Sequence, residues 1–240
     1  MEFVFVLAVG LVAGTLSGIV GFGSSIMLMP VLVIAFGPLQ AVPIMAIAAI
    51  MANLSRIIVW WREVDWRACA AYSATAAPFA ALGAATLLAL PVRFIEAALG
   101  VFFIAMIGVR RWMAAHALKL GHAQLALLGV PIGYLTGIVV STGPITAPIF
   151  LASGLVKGAF LSTEAAASLA VYVAKIAVFR GLGALPLDII VKGLATGSTL
   201  MAGAFIAKRF VLKMDAARFR LLMDGLMLLS GLTLLGTAFF

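Results

Sequence analysis

The sequence predicts an all-α polytopic membrane protein of two inverted repeats of five segments each, with a short broken helix after a Gly-rich stretch in each half. Four observations predict it. The 240 residues are 65% hydrophobic and only 10% charged, with mean hydropathy +1.25. Several segments run past about 18 apolar residues, the length that marks a membrane span. The stretch GTLSGIVGFGSSIMLMPVL (14–32) returns as GYLTGIVVSTGPITAPIFL (133–151), aligning Gly14, Gly18 and Pro30 with Gly133, Gly137 and Pro148, and Ser17 with Thr136. Lastly, basic residues gather in three loops that ten crossings would put on one side.

Taken in order, the apolar segments fall near 3–20, 25–37, 40–61, 68–90, 93–110, 122–140, 144–156, 162–180, 186–207 and 217–238. The first is expected to be a retained helix, because MEFVFVLAVG carries an acid where a signal peptide needs basic residues. Segments two and seven follow the repeated glycine stretches directly. A helix of about 13 residues covers about 20 Å of an apolar core roughly 30 Å thick, so each is expected to end inside the protein or re-enter. The other segments are long enough to cross.

Loop charge sets the count. Arg62 and Arg67 flank segment three, Arg110, Arg111 and Lys119 follow segment five, and Lys208, Arg209 and Lys213 follow segment nine. Ten crossings put all three clusters on the cytoplasmic side and both termini on the periplasmic side. Five crossings per half is an odd number, which inverts one half with respect to the other. The repeat extends further: NLSRIIVWW (53–61) aligns with YVAKIAVFR (172–180), setting Arg56 on Lys175, and RFIEAALG (93–100) aligns with RFRLLMDG (218–225). The chain reads as a single transmembrane domain over 1–240, with repeat one about 1–112, a linker about 113–120 and repeat two about 121–240.

Composition also excludes partners. The net charge of +8 sits mostly in short loops, where topology explains it, so it marks a lipid bilayer and no nucleic acid. A lone cysteine, Cys69, rules out an intrachain disulfide. The histidines, His116 and His122, lie in the central linker, so no buried Ser–His pair or histidine-ligated metal site is expected. No enzymatic activity and no cofactor are predicted.

A glycine-rich break, a proline, an Asn-bearing helix and a short charged turn ending in Asp-Trp-Arg (65–67), with the order echoed in the second half, resemble the sulfite exporter TauE/SafE family, also called the toluene-sulfonate uptake permease family. The resemblance covers essentially the whole chain. It implies a bacterial inner-membrane transporter of small sulfur-containing or organic anions such as sulfite, sulfoacetate or other sulfonates.

The residues point to an anion on their own chemistry. Ser24 and Ser25 stand where the first short helix begins, and Ser141 and Thr142 precede Pro144 at the start of the second. Ser and Thr favour N-caps, and proline favours the first helical position. A helix start at mid-membrane concentrates unpaired N–H groups and partial positive charge, a natural anion site. The predicted substrate-binding set is Gly21, Gly23, Ser24, Ser25, Asn53, Arg56, Ser141, Thr142, Gly143, Tyr172 and Lys175. The competing reading is that hydroxyls and water satisfy these helix ends, and that Arg56 and Lys175 only snorkel to the surface. An anion channel is the alternative function, since the same helix starts could line a pore.

Among the acids, Asp224 alone is expected well inside a segment; Glu2, Glu63, Asp65, Glu164, Asp188 and Asp215 are placed at ends or loops, and Glu96 near the outer start of segment five. Helical rise puts Arg56 and Asp224 each about 9 Å from the cytoplasmic face. That predicts an Arg56–Asp224 ion pair whose release by an anion or a proton would couple occupancy to gating. A static bridge, or no contact at all, is the plainer alternative.

Overall fold

The computed structural model describes residues 2–20, 24–115, 119–139 and 142–210, with 224–225, 228–229, 231–232 and 235–236 beyond them. Among the described residues, the regular structure is helical: α1 (Glu2–Val20), α2 (Ser24–Phe36), α3 (Pro38–Trp60), α4 (Trp66–Ala89), α5 (Val92–Ala115), α6 (His122–Val139), α7 (Gly143–Ala152), α8 (Lys157–Gly181) and α9 (Leu187–Phe210). A 3-10 turn at Trp61–Glu63 joins α3 to α4. By length and composition α3, α4, α5, α6, α8 and α9 can cross a membrane, and α1, α2 and α7 contain shorter apolar helices. Most of the expected tenth segment lies outside the described residues; of the rest, Gly231 and Leu235 sit against Gly100 and Ile104 of α5.

Local chemistry sets the helix ends. Gly37, at φ +72°, makes the tight turn from α2 into α3, a conformation that suits a residue without a side chain, and Pro38 opens α3. In the Asp-Trp-Arg turn, the Asp65 carboxylate accepts the Arg67 and Ala68 amides at 3.0 Å each and so caps α4. After α7, Gly154 takes φ +92° and turns the chain toward α8. α8 starts at Lys157, earlier than the expected 162, with Gly158 packed against Trp60 and Glu63. That shift puts Glu164 inside α8 and buried, not at an end as expected.

Each short helix forms a hairpin with the helix before it. The Phe3 and Phe36 rings meet edge-on at 6.2 Å, joining the start of α1 to the end of α2. In the second half, the Leu120 amide donates to the Ala152 carbonyl at 2.9 Å, joining the start of α6 to the end of α7. The two hairpins close at different ends of the bundle. Phe36 and Gln40 share their end with Lys192, which lies over the Phe36 ring at 4.7 Å and donates to Gln40 at 3.4 Å. At the other end Trp60 and Glu63 meet Gly158, and the Asp65 amide donates to Thr163 Oγ1 at 2.9 Å.

Packing between the halves is exchanged pairwise. α1 lies along α9 as α6 lies along α4; α3 lies along α9 as α8 lies along α4; α3 and α8 meet at the centre. The seams are made by small residues, which let backbones approach where lipid offers no hydrophobic drive to associate. A Cβ built on Gly14 would overlap the Leu200 carbonyl, and one on Gly133 would overlap the Ala76 carbonyl. Large apolar side chains such as Phe5, Ile34, Leu127 and Leu187 face outward, and Trp61 and Trp66 are exposed at the α3–α4 turn.

Candidate functional site

The centre of the bundle is polar because two helices turn a periodic stripe toward it. α3 presents Ala49, Ala52, Asn53 and Arg56, spaced i, i+3, i+4, i+7, and α8 presents Glu164, Ser168 and Tyr172, spaced i, i+4, i+8. Such spacings share one helix face. Ser24 and Ser25, the first residues of α2, and Gly143, the first of α7, complete the wall. The cavity is about 20 Å³, room for one water and too little for a sulfonate. Ala49 stands eleven residues from either end of α3, so the cavity is near the middle of the bundle.

Its electrostatics centre on one ion pair. Arg56 Nη1 donates to Glu164 Oε2 at 2.9 Å, and Arg56 Nη2 donates to Asn53 Oδ1. Glu164 Oε1 accepts the Ser168 hydroxyl at 2.9 Å and the Thr146 hydroxyl at 3.2 Å. Both charged side chains are buried, and charge at such a place persists only when paired and hydrogen-bonded.

Lys175 lies one turn beyond Tyr172 on α8, with no solvent exposure. Its ammonium turns inward and does not run along the helix to a surface. It donates to the Thr136 carbonyl at 2.6 Å and lies 5.8 Å from the Tyr172 ring and 5.9 Å from the Phe179 ring. Tyr172 thus both lines the cavity and neighbours the Lys175 amine. Thr142 holds the N-cap position of α7, but its hydroxyl meets the Thr136 hydroxyl and makes no capping bond.

Of the residues expected from sequence, Ser24, Ser25, Asn53, Arg56, Gly143 and Tyr172 converge on this cavity, with Thr142 and Lys175 buried beside it. Gly21, Gly23 and Ser141 lie outside the described residues. Asp224 is not part of the site. Arg111 Nε and Nη2 donate to its Oδ2 at 3.1 and 2.8 Å, which replaces the expected Arg56–Asp224 pair. Equal depth fixed only one coordinate of that pair; the described part of the tenth segment packs on α5, away from α3.

Sequence reasoning missed Glu164, Ser168 and Thr146. The signal was present in the run Glu164, Ser168, Tyr172, Lys175, one polar face at helical spacing on an otherwise apolar helix. The repeat alignment carries the same information: its register pairs Ala49 with Ser168 and Asn53 with Tyr172, and all four line the cavity. A larger open groove of about 880 Å³ among Leu39, Leu88, Leu182 and Ile189 is walled mainly by apolar side chains and holds neither buried cation. Among the described residues no three His, Cys, Asp or Glu side chains gather as a metal ion would need.

A family model described as Sulfite exporter TauE/SafE matches residues 6–234. No curated protein and no solved structure matches the chain.

Proposed function

This chain belongs to the sulfite exporter TauE/SafE family, and from that premise we propose that it is a secondary transporter of small organic or sulfur-containing anions, sulfite, sulfoacetate or other sulfonates, across the bacterial inner membrane. The observation that carries this reading is the cavity at which both short helices begin, with Arg56 in its wall and Lys175 buried one turn away. Two helix starts direct partial positive charge at one point, and Arg56 and Lys175, set against the Glu164 carboxylate, leave a net positive charge beside it. Anion binding is what such a field favours.

The fold of the carrier is proposed as two inverted repeats within a single domain, with both termini periplasmic. Supporting it are the exchanged packing of the halves and the closure of the two hairpins at different ends. The small volume of the cavity favours a carrier over a channel. A cavity with room for one water has to widen before it takes an anion, as a carrier does when the helices that line it move.

The test is counterflow in proteoliposomes. Labelled sulfite or sulfoacetate should accumulate transiently against unlabelled anion inside, with saturation. Gly143→Leu should abolish it while the protein still inserts, because the new side chain fills the cavity wall. Steady unsaturable flux with unitary currents would instead establish a channel.

A further inference from the structure

The carboxylate in the cavity is unusual for a site that should receive an anion. Glu164 already occupies the Arg56 guanidinium, at 2.9 Å, where an incoming sulfonate or carboxylate would dock. Resting on the carrier reading above, we propose that Glu164 takes up one proton when an anion binds, so that a doubly charged small anion and a proton are carried together.

Three features of the site support this. First, the starts of α2 and α7 and the Glu164 carboxylate line one cavity, so an anion held at those helix starts would sit beside the carboxylate. Two negative groups so close and so poorly hydrated favour protonation of one. Second, the remaining partners of Glu164 accommodate both forms. Ser168 and Thr146 donate hydroxyl hydrogens to the carboxylate, and a hydroxyl can turn to accept from the neutral acid. A cradle of backbone amides would hold only the charged form. Third, the charges add up. Arg56, Lys175 and an ionised Glu164 sum to one positive charge, which suits a monoanion. A proton on Glu164 raises the sum to two, which balances a dianion such as sulfoacetate.

Few other titratable groups lie around Glu164. Arg56 faces it from α3, Tyr72 from α4, and Tyr172 and Lys175 lie along its own helix. α2 and α7 carry no titratable side chain, and Glu63 and Asp65 sit at the bundle end beyond it. The repeat position matching Glu164 is Met45, fully buried and unable to titrate, so the count is one proton and not two. The proton comes from water of the facing compartment, rests on a Glu164 oxygen, and leaves with the anion on the far side.

The experiment is proton uptake by the purified full chain, read with an indicator dye in weakly buffered detergent solution during titration with sulfoacetate. We expect one proton per bound anion, and an affinity that falls about tenfold per pH unit above the range in which Glu164 is protonated. Glu164→Gln, which fixes the neutral form, should bind without proton uptake and lose that pH slope. Sulfoacetate binding by the unaltered protein without proton uptake overturns the proposal and leaves the anion site standing. Proton uptake that persists in Glu164→Gln also overturns it, by assigning the proton elsewhere. Binding of neither sulfite nor sulfoacetate by folded protein overturns the carrier reading and the proposal together.

Discussion

Arg56 of α3 and Glu164 of α8 meet at 2.9 Å across 108 residues of chain, and each is less than a tenth exposed. Removing one partner leaves the other charged and buried. Arg56→Ala and Glu164→Ala should each cost about 3–5 kcal/mol, and the double variant should cost less than either. Arg56→Ala with Asp224→Ala should be additive within about 0.5 kcal/mol, since Asp224 meets Arg111 instead. Unfolding in detergent measures both cycles. Additive losses for Arg56 and Glu164 would contradict the pairing.

Lys175 is the opposite case, a cation held by a carbonyl and two ring faces. Lys175→Met keeps the length of the side chain and removes the desolvation cost of a buried ammonium. The variant should be at least as stable as the parent, while anion transport falls at least about tenfold, the loss of roughly one charge-assisted hydrogen bond to substrate. Thermal unfolding and flux, measured side by side, check this. A destabilised variant with normal flux would make Lys175 structural only.

The small-residue seams give a prediction about folding alone. Gly133→Ala would drive a methyl into the Ala76 carbonyl on α4, and Gly14→Ala into the Leu200 carbonyl on α9. Each should destabilise by about 1–3 kcal/mol, the usual cost of overpacking. Gly181→Ala, where an added methyl meets nothing within 4 Å, should not. Equal melting temperatures for all three would refute the seam.

Inversion can be read from labelling. In a Cys69→Ala background, cysteines at Leu187 and Arg62, both exposed, report the two ends of the bundle. An impermeant maleimide should label Leu187→Cys in intact cells and Arg62→Cys only after permeabilisation. Labelling of both from one side, or a reporter at residue 240 that is active in the cytoplasm, would reject the periplasmic termini.

Where the sequence succeeded, the signal was local. The helix expected at 40–61 is seen at Pro38–Trp60, and that expected at 122–140 at His122–Val139, because a long apolar run bounded by glycine, proline or charge has few other ways to fold. The glycine stretches likewise located both short helices. What failed was long-range. The first turn of α8 is held by Gly158 against Trp60 and Glu63, a contact that periodicity does not record and that carries Glu164 into the helix. Depth constrains the partner of Arg56 only along the membrane normal and leaves rotation about each helix undetermined. Asp224 shares the depth and faces Arg111; Glu164 faces the arginine.

The central position of the cavity has a consequence for voltage. Ala49 stands at the middle of α3, and Ser168 lies within a residue of the middle of α8. An anion seated between them has traversed about half of the transmembrane electric field. A full unit charge gains or loses about 2.3 kcal/mol per 100 mV, so half the field is about 1.2 kcal/mol, roughly sevenfold in occupancy for a monovalent anion. The sign is opposite for binding from the two faces. A proton riding on Glu164 lies in the same part of the field and cancels one of those charges. Apparent affinity for a dianion that brings a proton should then respond to membrane potential as though the anion were singly charged.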